Sequence, residues 1–131
     1  MTEKLRLSAT IPAKPEEIYE SWLDSRKHSE MTGSEAKVLP RINGKFTAWD
    51  GYIQGTTIEM ELNRRIVQRW RTTDFPSNSP DSVVEVVLEE VENGTKVVLI
   101  HTDIPEGQRE DYKTGWKEFY FDPMKEYFKS K

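Results

Sequence analysis

Cysteine is absent from this 131-residue chain, so neither a disulfide nor a thiolate metal site can form. Histidine is scarce: His28 and His101 are the only two, and no His-Glu-x-x-His pattern exists. Neither a metal nor a cofactor is therefore expected. The seven glycines stand singly, which leaves no Gly-rich phosphate loop. A Gly-x-Ser-x-Gly elbow is also missing, so no catalytic constellation is legible. Glu89 and Glu90 fall on opposite faces of a strand and do not pair as ligands. No stretch approaches the ~18 apolar residues of a membrane span. The opening MTEKLRLSATIPA lacks the apolar core of a signal peptide. Excess positive charge is lacking too, with a net charge of −4 and a pI near 5.3. Nucleic acids and anionic membranes call for basic surfaces. The expectation is a soluble, cytoplasmic protein with no nucleic-acid partner and no membrane insertion.

Aromatic residues, by contrast, are concentrated at one end. Seven of them lie between Tyr112 and Phe128. Projected at 100° per residue, Phe119, Tyr112, Pro123, Trp116, Tyr127 and Tyr120 fall within about one third of a turn. Met124, Phe128 and Phe121 widen that face to roughly half the circumference. A helix over residues 108–131 with so broad an apolar arc requires a curved partner.

The remainder supplies one. Leu5, Leu7, Ala9 and Ile11 alternate with polar residues, predicting a half-buried strand over 4–11. Pro12 ends it, and Pro15 opens a short helix to Leu23 carrying Ile18, Tyr19 and Trp22. A further helical turn or two is expected before Gly33. Strands follow at 36–39, 45–49, 52–62, 66–73, 83–91 and 95–102. They are punctuated by Asn43-Gly44, Asp50-Gly51 and Asn93-Gly94 and by the loop DFPSNSPDS at 74–82. The expected fold class is α+β, a single domain over 1–131. A curved antiparallel sheet of about seven strands wraps a long C-terminal helix, with one or two short helices after the first strand. A twisted meander of this length curls, and the terminal helix is the element long enough to fill its concave side.

Several segments carry a resemblance: Ile11-Pro12-Ala13 with Ile18-Tyr19 and Trp22; Phe46 and Trp49-Asp50-Gly51; the run from Arg65 to Arg71; Gly115-Trp116; and Tyr120-Phe121. In this order and spacing the chain resembles the helix-grip superfamily, also called START-like or SRPBCC. Within it, the chain is similar to the family named for the activator of the ninety-kilodalton heat-shock protein ATPase. The resemblance implies a cavity between sheet and last helix, which in many relatives holds lipids, sterols or other apolar molecules. In the eukaryotic activator another domain precedes one like this, whereas this chain opens directly on the first strand.

Cavity-lining candidates follow from that fold: Phe46, Thr57, Gln68, Trp70, Leu99, His101, Tyr112, Trp116, Phe119 and Tyr120. His101 shares the parity of Val97 and Leu99 and so faces inward. It is either a hydrogen-bonding or acid–base group near a ligand, or a structurally paired histidine, the more common case. Within its charged stretch, His28 is expected to be solvated. Each tryptophan taken alone is more often core than cavity wall. The three tyrosines of the terminal helix want hydroxyl partners, which a cavity with water or ligand supplies. The basic run Asn63-Arg64-Arg65 with Arg69 and Arg71 is either a protein-binding patch or, the favoured case, a solvated outer sheet face balanced by Glu59, Glu61 and Glu85. Three functions are expected in descending order. The first is a module binding an apolar small molecule or lipid. The second is a partner of a heat-shock-protein-90-type ATPase. The third is a small enzyme using His101 or a cavity tyrosine.

Overall fold

The computed structural model describes residues 2–131. Seven strands form one antiparallel sheet: β1 (Thr2–Ile11), β2 (Lys37–Val38), β3 (Lys45–Ala48), β4 (Ile53–Glu61), β5 (Arg65–Thr72), β6 (Ser82–Val91) and β7 (Gly94–Pro105). Their order is β1-β7-β6-β5-β4-β3-β2. The six later strands form the expected meander, and the first joins β7 at the far edge. Two short helices, α1 (Pro15–Leu23) and α2 (Ser25–Thr32), follow the first strand. Asp24 separates them: its carboxylate accepts from Lys27 N at 2.8 Å, capping α2. Gly33, at φ 83°, closes that helix in the left-handed conformation glycine favours. No described helix is long and apolar enough to cross a membrane.

Inward residues align in rows across the strands. One row runs Thr57, Gln68, Val84, His101, Leu5. Another runs Ile66, Val86, Leu99, Leu7 on β5, β6, β7 and β1. Strict alternation along β4 would put Thr57 and Glu59 on one face. A register shift between Thr57 and Glu59 prevents that. The extra residue, Ile58, lets Thr57 stay buried while Glu59 emerges to solvent. Parity reasoning from sequence has no means of seeing such an insertion.

The terminal segment is helical as expected but not uniform. It comprises α3 (Arg109–Trp116), a π-helical turn (Lys117–Phe121) and α4 (Asp122–Lys129). Tyr112, Trp116, Tyr120, Met124 and Phe128 are all buried at strict four-residue spacing. Along a straight α-helix that stripe would drift by about 160° over four steps. The wider π turn rotates less per residue and brings the stripe back toward the sheet. The same turn moves Phe119, which the uniform projection centres on the apolar face, out to 49% exposure. Pro123 lies in the first turn of α4, where its missing donor is best tolerated.

Close approach of β4 to its neighbouring strands requires glycine at position 55. A Cβ on Gly55 would lie 1.9 Å from the Arg69 carbonyl oxygen and 2.8 Å from the Phe46 ring. Gly55→Ala should therefore cost about 2 kcal/mol or more, read as a lowered urea midpoint with an unchanged slope.

Candidate functional site

Where α3 and the π turn lean over β3–β5, a pocket of about 340 Å³ remains. Its walls are Trp49, Tyr52, Ile53, Trp70, Tyr112, Gly115, Trp116, Phe119 and Tyr120. Not one of these carries a formal charge. Trp70 comes from the inner face of β5, and Trp116 descends on it from α3 with ring centroids 5.4 Å apart. Tyr120 continues the stack against Trp116 at 4.9 Å. Tyr112 stands edge-on to Trp70 at 5.2 Å. Offset and edge-on pairs are the favoured aromatic geometries.

Gly115 has a plain relation to this space. A glycine inside a helix costs about 1 kcal/mol relative to alanine. Nothing in the fold demands one here, since a Cβ would meet only Phe119 Cδ2, at 3.9 Å. What the missing side chain leaves is pocket volume.

The rim is formed by the β3–β4 turn. Trp49 and Asp50 adopt φ of 52° and 56°, ahead of Gly51 at 90°. A bulky residue with positive φ is an outlier. The turn is held there by Asp50 N donating to Glu35 O at 3.0 Å and by Glu35 N donating to Asp50 Oδ1 at 3.3 Å. Trp49 then packs edge-on to Phe119 at 5.2 Å. Its indole N–H is buried with no hydrogen-bond partner among the described residues, a further cost of roughly 1–3 kcal/mol. Strain of this kind collects at ligand clamps.

One end of the pocket is bordered by a polar chain. Gln108 Oε1 accepts from the Tyr112 hydroxyl at 2.7 Å. Thr72 Oγ1 therefore donates to the Tyr112 oxygen, also at 2.7 Å. Tyr52 donates to Asp74 Oδ2 at 2.6 Å, and Gln108 Nε2 donates to the Asp74 carbonyl at 2.9 Å. Burial raises the pKa of Tyr112 and of Tyr120 above the ordinary phenol value. Both remain neutral hydrogen-bonding groups.

The ten candidates read from sequence divide evenly. Trp70, Tyr112, Trp116, Phe119 and Tyr120 border the pocket. Phe46, Thr57, Gln68, Leu99 and His101 are buried elsewhere in the core. Gln68 links Trp22 to Thr57: it accepts from Trp22 Nε1 at 3.2 Å and donates to Thr57 Oγ1 at 3.1 Å. Gln68→Leu should cost about 1–3 kcal/mol by orphaning the Trp22 N–H, and Thr57→Val, which leaves that bond intact, should cost less. Paired urea titrations of the two variants test this. Tyr52, Ile53 and Gly115 are not among the candidates, and Trp49 enters only as one of four tryptophans weighed between core and cavity wall. The Trp49-Asp50-Gly51 turn signal was visible, but turn chemistry does not say where an indole will lie.

His101 has both ring nitrogens occupied. Trp116 Nε1 can only donate, and does so to His101 Nδ1 at 3.1 Å. The proton must then sit on Nε2, which donates to Ser82 Oγ at 2.8 Å. Ser82 in turn donates to the Trp70 carbonyl at 2.6 Å. Full burial holds the His101 pKa down at about 3, which keeps the ring neutral.

His28 corrects the expectation of a solvated side chain. It is buried, because α2 turns back beneath the terminal helix. Its Nδ1–H donates to the Trp22 carbonyl at 2.9 Å, and its Nε2 accepts from the Tyr120 hydroxyl at 2.8 Å. Desolvation lowers its pKa as well. Its charged neighbours, Arg26, Lys27 and Glu30, mark only the outer side of a helix whose inner side they conceal. Tyr120 thus finds a histidine as its hydroxyl partner.

On the opposite face of the sheet Arg65 pairs with Glu59 at 2.7 Å, with Glu61 at 3.0 Å and with Glu85. Of the outer-face arginines, these glutamates balance Arg65 alone: Arg71 pairs with Asp81, and Arg69 has no carboxylate partner among the described residues.

Comparison with known proteins places this architecture. The sequence profile described as "Activator of Hsp90 ATPase homolog 1-like protein" matches residues 12–129. The human protein "Activator of 90 kDa heat shock protein ATPase homolog 1" is 26% identical over 128 residues, covering 97% of this chain and 37% of its own. A Dictyostelium discoideum homologue is 26% identical over 127 residues, covering 97% of this chain and 33% of its own. The chain thus spans about a third of the length of these relatives. Among solved structures, PFC0360w from Plasmodium falciparum, described as an HSP90 activator, superposes with a TM-score of 0.83 at 26% identity over 91% of both chains. MLL2253 from Mesorhizobium loti shares the fold at a TM-score of 0.81 and 19% identity, over 98% of both chains. With the profile match running from the end of β1 to the end of α4, this chain belongs to the AHSA1 family, on a helix-grip fold.

Proposed function

We propose that this protein binds a compact, uncharged, largely apolar small molecule between the sheet and the terminal helix. The observation that carries the proposal is Gly115: a helical glycine with no packing reason of its own, facing a pocket of about 340 Å³. That volume falls within the usual range for small-molecule sites, which are mostly apolar with a few polar anchors. Trp49, Tyr52, Trp70, Tyr112, Trp116, Phe119 and Tyr120 supply the contact surface, and the absence of charged lining favours a neutral ligand. A carboxylate or ammonium desolvated there would find no ion partner. Native mass spectrometry of protein purified from its own host tests this, together with titration of the uncharged fluorophore N-phenyl-1-naphthylamine. Retained mass or saturable, stoichiometric fluorescence enhancement is expected. Failure of both would overturn the proposal.

A second proposed function is interaction with a heat-shock-protein-90-type ATPase, supported by the family and by relatives about three times as long that are named as activators of that ATPase. The ATPase rate of the cognate chaperone, with and without this chain, decides it. Neither stimulation nor binding would end it. No catalytic role is proposed for His101, whose two nitrogens are committed to Trp116 and Ser82.

A further inference from the structure

We propose that the outer face of the sheet across β2–β5 docks an acidic, extended segment of a partner protein. Two cross-strand rows build this surface. Lys37, Thr47, Gln54 and Arg71 form one, and Lys45, Thr56 and Arg69 form the other. Between them lies a groove of about 420 Å³. Arg71 is already neutralised, donating to Asp81 at 2.9 Å and to the carbonyls of Ser79 and Pro76. Lys37, Lys45 and Arg69 are exposed, and among the described residues none has a carboxylate partner.

Lys37 and Lys45, on adjacent strands, repel one another, and Arg69 adds a third unpaired cation two strands from Lys45, in a molecule whose net charge is −4. Anionic groups from outside would relieve that repulsion. Diagonal neighbours in a sheet stand about 7–8 Å apart, and same-face side chains of an extended peptide about 7 Å apart. Alternating carboxylates on an extended segment therefore match the spacing of Lys37 and Lys45, with Arg69 about 10 Å beyond Lys45 across β4. Leu39, 46% exposed, adjoins the groove through its N–H bond to the Lys45 carbonyl and offers an apolar contact. The basic area is short along the strands: it gives way on β4–β6 to Glu59, Glu61 and Glu85. A long polyanion such as a nucleic acid would run into those carboxylates, whereas a short acidic peptide would not.

Titration of the ¹⁵N-labelled protein with a short peptide of alternating glutamate and serine tests the proposal. Amide shifts should be confined to β2–β5 and weaken with added salt. Lys37→Glu/Lys45→Glu should lower affinity by about tenfold or more. Lys37→Gln/Lys45→Gln should lose less, and its unchanged melting curve would show that the fold is intact. Equal binding by the charge-reversed variant would overturn the proposal. So would shifts mapping elsewhere, or tighter binding of an oligothymidylate of equal charge through the same residues.

Discussion

Acidification from pH 7 to pH 4 is expected to remove about 3 kcal/mol of folding stability through His101 alone. An unfolded chain titrates its histidines near pH 6.5, whereas the folded chain holds His101 neutral down to about pH 3. Between those values the unfolded state binds one more proton, so stability falls as pH drops, by about 1.4 kcal/mol per pH unit. Protonation in place is blocked on both sides. Trp116 N–H already occupies Nδ1, and no carboxylate faces the ring among its hydrogen-bond partners. His28 adds to the loss in the same direction, its pKa also lowered by burial. Against the 5–15 kcal/mol typical of a domain, a loss of this size is a large fraction of the total stability. His101→Gln isolates the effect, since glutamine can accept from Trp116 and donate to Ser82 without titrating. That variant should be less stable at pH 7 through poorer packing, yet lose about 3 kcal/mol less on going to pH 4. Urea titrations of both proteins at several pH values read this out. Parallel pH profiles would show that His101 does not titrate in this way.

The second large effect concerns the pocket. Gly115→Leu is expected to lower affinity for N-phenyl-1-naphthylamine by at least about tenfold while leaving the fold intact. The helix gains from losing its glycine, and the new side chain enters space bounded by Phe119, Trp116 and Tyr120. Gly115→Ala separates the two contributions. Its Cβ makes only an ordinary contact at 3.9 Å, so stability should rise by about 0.5–1 kcal/mol with a smaller loss of binding. Gains in stability for both variants with binding unchanged would place the ligand elsewhere. Loss of stability in Gly115→Ala would mean that the glycine serves the fold.

Sequence pattern carried much of the fold because the governing periods are local. The alternation of Leu5, Leu7, Ala9 and Ile11 and the punctuation by Asn93-Gly94 need no tertiary knowledge. They led to a sheet of about seven strands, one or two short helices and a long aromatic helix; seven strands, two short helices and a terminal helical segment interrupted by a π turn are present. The candidate site was less legible. Leu99 and His101 face inward as the parity of β7 requires, and Phe46, Thr57 and Gln68 are buried with them, but an inward direction does not distinguish core from pocket wall. That distinction depends on how far the opposing helix stands from each point of the sheet.

Three features needed the folded chain. The Ile58 bulge decided that Thr57 is buried while Glu59 is not, because one inserted residue reverses every parity beyond it. The π turn at Lys117–Phe121 decided that Phe119 stands at the rim, because a single wider turn shifts the helical phase that a uniform projection assumes. The return of α2 beneath α4 decided that His28 is buried against Tyr120, because its charged neighbours describe one side of the helix only. The aromatic composition of the terminal helix, and its need for a concave partner, were determined by the sequence alone. Which of those rings close on one another, and which are held apart around open space by a glycine and a strained turn, only the tertiary structure decided: local periodicity sets the direction of a side chain, and packing distance between distant segments sets what it meets.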